Sequence, residues 1–325
     1  MRAVVYDRYG PPNVLRIEEV PVPTPGPKQV LAQVAATSVN LSDWESLTGS
    51  PSYVRIFGPF APKRRTLGSD IAGRVTAVGS DVTRFAEGDA VYGDNLMALG
   101  GFAEYALAPA SVLAPKPPEL TFAQASTLPQ AGAIALQGTA GFAAGQRVLI
   151  NGAGGGSGAF AIQLAKRAGA HVTGIDAEPK LDFMRRLGAD DVGDHRRQDF
   201  VDFAPFDRIL DLVATRSPLA CMRALAPGGR YRCVGGAVRT LLPILTLGPI
   251  LGLATGRSIG MMGVAQGPRY FGPLTERVLA GEVRVHIDRT FTLDEVPEAL
   301  AYVGEGRALG KVVVTVRDEG GAANA

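Results

Sequence analysis

Apolar positions in the first third of the chain recur at every second residue, in short runs. Val30–Ala35 alternates loosely, Gly73–Gly79 alternates well, and Gly88–Gly93 follows after a turn. Period-two runs broken by Pro and Gly predict an irregular antiparallel β domain. Helical spacing is scarce before Thr121, and beyond it the pattern changes. Arg147–Asn151 is a short apolar run closed by glycines, and Ala159–Ala168 sets Phe160, Ile162, Leu164 and Ala165 at helical spacing. Strands over His171–Asp176, Phe206–Leu212 and Gly229–Val234 then alternate with helices over Pro179–Leu187 and Pro218–Ala226. Each crossover is long enough to bring the chain back parallel, so the middle reads as an α/β, doubly wound parallel sheet. Near the end, Pro273–Ala280 and Val296–Gly304 read as helices and Gly310–Val316 as a closing strand. That strand is expected in the first β domain, because Ile287–Phe291 returns to β character. The polar, Gly/Ala-rich residues after Arg317 are expected to fray.

Composition narrows the class. A length of 325 residues suggests two domains, and 46% hydrophobic with 20% charged residues is the balance of a soluble globular protein. A net charge of +2 without a Lys/Arg-rich run argues against a nucleic-acid partner. Two cysteines, Cys221 and Cys233, fit a reducing cytoplasm better than a disulfide scaffold. The N-terminus reads as a strand, with charges where a signal peptide is apolar. The longest apolar run, Leu241–Thr255, reads as too short for a transmembrane segment and holds Pro243, Gly248 and Pro249. It is expected to be buried or dimer-facing, with a membrane-surface contact as the other reading.

The densest signal is Asn151-Gly152-Ala153-Gly154-Gly155-Gly156-Ser157-Gly158, between a buried strand and an amphipathic helix. Glycines there allow a tight turn, a close approach of backbone to a pyrophosphate, and close helix–strand packing. The helix start offers free N–H groups to the phosphates. This context predicts a dinucleotide site. Asp176 closes the next strand, about 20 residues past the turn, where a carboxylate accepts from the adenosine ribose hydroxyls and repels a 2′-phosphate. That leans to NADH. Lys180, Arg185 and Arg186 follow closely and are able to neutralise a phosphate, which keeps NADPH open. The other reading of Asp176 is a helix N-cap before Pro179.

Taken together, Ser38–Asp43, Leu67–Val75, Val78-Gly79, Gly88-Asp89, Gly101–Tyr105, the glycine turn, Leu187–Asp190 and Gly310–Val313 resemble the medium-chain dehydrogenase/reductase superfamily, in its zinc-free quinone oxidoreductase branch. The resemblance implies a GroES-like catalytic domain over 1–120, completed by 282–325, and a Rossmann domain over 121–281, with the substrate cleft between them and a dimeric assembly. Zinc-dependent relatives carry Cys where Asn40 stands and His-Glu where Ser69-Asp70 stands. The cysteines here lie in the dinucleotide domain, and His171, His195 and His286 are scattered, so no zinc site is expected. Without a Lewis acid the favoured substrates are those whose conjugation spreads the arriving charge, namely quinones and α,β-unsaturated carbonyls.

The same resemblance supplies residue roles, each beside a plainer one. Asn40 faces nicotinamide and substrate, its amide bonding the substrate oxygen, or caps a loop. Asp43 caps the helix around Trp44. Tyr53 donates to a developing enolate or packs at the surface. His195 lines the cofactor or sits in solvent. Gly235 and Gly236 let backbone approach the nicotinamide, and Lys311 touches the cofactor or is solvated. Relatives favour Ala-Ser-Gly-Gly-Val-Gly at the turn, so Gly154 loses a hydroxyl; Ile134 replaces a Thr. Both imply looser cofactor binding. The competing functions are an enoyl-thioester reductase, with Lys63-Arg64-Arg65 as its basic patch, and a dinucleotide-binding protein without turnover.

Overall fold

The structure, a computed structural model, describes residues 1–56 and 58–317. The fraying expected after Arg317 lies outside the described residues. The chain forms two compact units, Met1–Ala133 with Gln266 onward, and Ile134–Ala265.

In chain order the first unit begins with β1 (Arg2–Val5), β2 (Arg16–Glu19), β3 (Gln29–Val39), α1 (Leu41–Thr48) and β4 (Asp70–Val78). It continues with β5 (Ala90–Asp94), β6 (Tyr105–Pro109), β7 (Leu113–Pro115), α2 (Phe122–Ser126) and the start of α3 (Pro129–Gly138). The second unit runs β8 (Arg147–Asn151), α4 (Gly156–Arg167), β9 (His171–Asp176), α5 (Leu181–Arg186), β10 (Asp191–Asp194) and β11 (Phe206–Asp211). It ends with α6 (Pro218–Ala224), β12 (Leu225–Cys233), α7 (Val238–Thr255) and β13 (Ser258–Met261). The chain then returns to the first unit with α8 (Pro268–Leu279), β14 (Ile287–Thr292), α9 (Val296–Gly304) and β15 (Lys311–Thr315).

The first unit is the GroES-like β domain. Its seven-stranded sheet has the order β14-β15-β3-β4-β5-β7, with β6 also on β3. All neighbours are antiparallel except β14 and β15. The long β3 takes partners on both sides, and its alternate residues Val30, Ala32 and Val34 join Ile71, Val75 and Val91 in one buried cluster. The closing strand pairs with β3, as the β character of Ile287–Phe291 led one to expect.

The second unit is the Rossmann-like sheet, six parallel strands in the order β10-β9-β8-β11-β12-β13. Val148, Leu149 and Ile150 of the central β8 are completely buried. A strand covered on both faces is apolar at every position, which is why this run does not alternate.

Three expectations need correction. The middle unit is shorter than 121–281, because the residues flanking it pack on the first unit. Phe122 and Ala125 of α2 are buried, and Leu274 of α8 occupies the space a Cβ on Gly132 would need. Tyr92 of β5 bonds the Thr275 hydroxyl at 2.8 Å and meets the Phe271 ring edge-on at 5.1 Å. Second, α8 starts at Pro268 and carries Pro273 inside it, where the sequence suggests a start. Third, Leu241–Thr255 is neither simply buried nor too short. Val238–Thr240 extend it to an 18-residue helix, long and apolar enough by length and composition alone to cross a membrane. Leu241, Ile244, Gly248 and Gly252 form its buried face, and the rest is largely exposed.

Candidate active site

In the second unit the chain leaves β8 at Asn151, turns through Gly152 at φ 81°, and enters α4 at Gly156. A Cβ on Gly158 would lie 2.3 Å from the Gly152 carbonyl oxygen and 2.6 Å from the Ala153 Cα, so helix and turn touch there backbone to backbone. A Cβ on Gly155 would have only the Gly152 oxygen near it, at 3.6 Å. Gly158 therefore serves packing, whereas Gly155 keeps space open in front of the helix. The N–H groups of Gly156, Ser157 and Gly158 open α4 and so lack partners within the helix, the arrangement that receives an anion.

Gly154 has a different reason for being glycine. A Cβ there would meet the Lys180 side chain at 2.7 Å and Asp176 Oδ2 at 3.2 Å. Asp176 ends β9 beside the turn. Its Oδ2 accepts the Gly154 N–H at 2.9 Å, and its Oδ1 accepts the Ala177 N–H at 2.8 Å and lies 3.4 Å from Lys180 Nζ. Lys180 is only 6% exposed. The missing hydroxyl at position 154 thus goes with a buried ion pair laid against the turn. His195 is held at the same place by its main chain, whose N–H donates to the Asp176 carbonyl at 3.1 Å, and its side chain is exposed. Gly235 and Gly236 follow β12 at φ 71° and 128°.

Sequence reasoning missed the group that ties these loops together. Asp211 ends β11 fully buried. Its Oδ1 accepts from Asn151 Nδ2 at 2.8 Å and from the Val213 and Ala214 N–H groups at 3.0 and 2.8 Å. Its Oδ2 accepts from the Tyr231 hydroxyl at 2.8 Å, and burial and that carboxylate raise the Tyr231 pKa. One carboxylate therefore joins the ends of β8 and β11 to β12. The available signal was an Asp closing a strand that is otherwise apolar at its end.

In the first unit a second cluster is buried almost completely. Asn40 Oδ1 accepts from Lys311 Nζ at 2.6 Å, and its Nδ2 donates to Asp70 Oδ2 at 2.8 Å and Ser69 Oγ at 3.0 Å. Both amide hydrogens are thus committed, so Asn40 has none left for a substrate oxygen. Asp43 accepts from the Asn40 N–H at 2.9 Å and from Ser69 Oγ and the Gly68 N–H at 3.2 Å, which makes it the expected cap of α1. Ser38 Oγ and the Gln130 N–H complete the shell of Asp70 at 2.8 and 3.0 Å. Asp94 accepts from the Leu96 N–H at 3.0 Å and from Gln266 Nε2 at 3.2 Å. Burial pushes the Asp43 carboxyl up to about 7. Burial, then the charge of Asp70, does the same to Asp94. Asp70 is raised by burial against the pull of Lys311, whose own pKa burial lowers. Lys311 is thus buried within a carboxylate cluster and is not the solvated lysine of its second reading. Tyr53 is 40% exposed in the short turn Ser52–Arg55. Among the described residues no group of three or more His, Cys, Asp or Glu side chains is placed to hold a metal ion.

The alcohol dehydrogenase GroES-like domain model matches residues 26–118, and the zinc-binding dehydrogenase model matches residues 187–314. The chloroplast quinone oxidoreductase QR1 of Triphysaria versicolor is 33% identical over 331 residues, covering 97% of this chain and 98% of that protein. The chain belongs to the quinone oxidoreductase branch of the medium-chain dehydrogenase/reductase superfamily. A 2-methylene-furan-3-one reductase of Solanum lycopersicum is 31% identical, with 97% of this chain and 79% of that protein aligned. The solved quinone oxidoreductase of Coxiella burnetii superposes with a TM-score of 0.87 at 30% identity, over 98% of this chain and 99% of that one. This member of the superfamily is an enzyme, an NAD(P)H-dependent oxidoreductase built from a GroES-like and a Rossmann-like unit.

Proposed function

We propose that the protein is a zinc-independent reductase of quinones and α,β-unsaturated carbonyl compounds. The observation that carries the reading is the glycine turn, whose open space at Gly155 and unpartnered N–H groups at Gly156–Gly158 fit a pyrophosphate. The names of the Triphysaria and Solanum relatives supply the substrate classes. When bound, the dinucleotide supplies hydride to the electrophilic carbon of the substrate. The turn's N–H groups would hydrogen-bond the pyrophosphate, Asp176 would accept from the ribose hydroxyls, and Asp211 fixes the loop 211–214 beside Gly152. The proton that completes the reduction would come from water or a nearby hydroxyl.

The donor chemistry supports zinc independence. At Asn40, Ser69 and Asp70 the oxygen and nitrogen atoms belong to an amide, a hydroxyl and one carboxylate, and the Lys311 ammonium already sits among them. A divalent cation there would face a fixed positive charge and lack thiolate or imidazole ligands. Substrates that delocalise the incoming electron pair themselves need no such cation.

The cofactor reading leans to NADH. Asp176 keeps a carboxylate at the ribose position, and three of the nearby cations have acidic partners. Lys180 pairs with Asp176, Arg185 with Asp182, and Arg197 with Glu178. The enoyl-thioester alternative is weaker at its one specific feature, since Arg65 of the basic patch bonds Asp7 at 2.6 Å and Glu18 at 3.1 Å. The decisive experiment measures NADH and NADPH oxidation separately with 1,4-benzoquinone, 9,10-phenanthrenequinone, an alkenal and crotonyl-CoA. Turnover with quinone or alkenal is the expected result. Crotonyl-CoA alone would move the assignment to the thioester reductases, and nucleotide binding without any turnover would leave only a binding protein.

A further inference from the structure

We propose that α7 docks the protein on an anionic lipid bilayer, its outer face lying in the interface without crossing the membrane. The inference is independent of the reductase reading. Gly248 and Gly252 hold the helix against the sheet, since a Cβ on either would lie 2.9 and 2.6 Å from the Ile259 and Arg257 carbonyl oxygens. That packing fixes α7 along β13. On the other side Val238, Leu242, Leu245, Leu247, Ile250 and Leu253 are 43–89% exposed. At about 100° per residue these positions sweep roughly 200° of the helix circumference. With its buried face also apolar, α7 is apolar around its circumference, the pattern of a helix that is covered on all sides by protein or lipid. A ridge this broad and convex suits a fluid medium that closes around it.

The polar groups agree. Between Arg239 and Arg257 no side chain carries a charge. The Thr246 and Thr255 hydroxyls donate back to the Leu242 and Leu251 carbonyls at 2.9 and 2.7 Å, which hides their polarity. Pro249 lacks an N–H and leaves the Leu245 carbonyl without its usual donor, a defect that headgroup water satisfies and hydrocarbon does not. The depth is therefore interfacial. Charge then selects the lipid. No Asp or Glu occurs between Asp211 and Glu276, while seven arginines do. Arg239 is exposed in the first turn of α7, Arg223 is exposed on the adjacent α6, and Arg257 follows the helix. An apolar ridge in an acid-free, arginine-bearing segment complements an anionic surface.

Vesicle flotation tests this, with phosphatidylcholine alone and with phosphatidylcholine mixed with phosphatidylglycerol. About tenfold or more protein is expected to float with the anionic vesicles, less at high salt. Ile250→Glu/Leu253→Glu, at two exposed positions, is expected to abolish flotation while circular dichroism and NADH affinity stay unchanged. Arg239→Glu is expected to weaken flotation about fivefold or more. Protein that remains in solution with both vesicle types overturns the proposal, as does flotation unaltered by the double substitution. Light scattering that shows a dimer dissociating in the double variant also overturns it, and gives the ridge to a second copy of the chain.

Discussion

Replacing Gly158 and Gly155 by alanine, one at a time, separates the two duties of the glycine turn. A methyl on Gly158 overlaps backbone, 2.3 Å from the Gly152 oxygen, and no flexible side chain is there to move aside. Overpacking of this kind costs about 1–3 kcal/mol, here at the upper end. Alanine returns about 1 kcal/mol because the position is helical. A net loss of about 2 kcal/mol remains, which lowers Tm by roughly 6 °C. Gly155 differs, since its φ of −86° suits any residue and the added methyl meets only ordinary van der Waals distance at 3.6 Å. Gly155→Ala should melt like the parent, yet its methyl stands where a pyrophosphate must approach. Losing one hydrogen bond to a charged group costs about 1.5–3 kcal/mol, or about 10–150-fold in affinity. Scanning calorimetry and NADH titration by calorimetry read the two effects independently. A Gly155→Ala protein that binds NADH like the parent would refute the turn as the pyrophosphate site. An unshifted Tm for Gly158→Ala would refute the close contact.

Three further outcomes follow from the two clusters. Asp176→Ser should shift the ratio of kcat/KM values toward NADPH; an unchanged ratio would reduce Asp176 to a partner of Lys180 and the Gly154 N–H. Lys311→Met strands Asp70 without its cation and should cost about 3–5 kcal/mol in urea unfolding. Lys311→Met/Asp70→Asn should recover part of that loss, and a purely additive double variant would contradict the pairing. Asp43, Asp94 and Glu45 are each raised by burial to about 7. An unfolded carboxyl titrates near 4, so the folded state holds these protons more tightly. Their stabilisation is complete below about 4 and lost as pH rises through about 7. Tm should therefore fall between pH 5 and pH 8, Asp94→Asn should flatten the fall, and a Tm independent of pH in that window would count against these buried acids.

Much of the fold could be read from the chain because its strongest elements are local. His171–Asp176 is a strand at its expected bounds, and the glycine turn lies between a strand and a helix as its spacing requires. In the second unit the strands that escaped notice, β10 and β13, have four residues each, too few for a period to emerge. Asp191-Val192-Gly193-Asp194 is held as a strand by its register with β9. The site residues divide in the same manner. Position along the sequence was enough to mark Gly154 and Asp176, since one lies in the turn between β8 and α4 and the other ends β9. It could not show that Lys311 is buried against Asp70, because strand β15 meets β3 from the far end of the chain. Nor could it show that both amide hydrogens of Asn40 are taken, which depends on Ser69 and Asp70 arriving from β4 and the residue before it.

The pairing of β15 with β3 also bears on how the protein is made. Strand β3 spans Gln29–Val39 and leaves the ribosome early, and β6 covers Gln29–Gln33 of one edge, but Ala36–Val39 of that edge stay bare until Lys311–Thr315 has been synthesised. The second unit is continuous from Ile134 to Ala265 and has all of its strands well before that. Domains generally fold as units during synthesis, and an unpaired strand edge invites pairing with other chains. The later-born unit in sequence is thus the first to be complete, and the first-born one waits, with an adhesive edge, for the last strand. Truncations before Thr315 should accordingly yield a soluble dinucleotide unit tethered to an aggregating one, and slower translation of the final stretch should depress the yield of native enzyme.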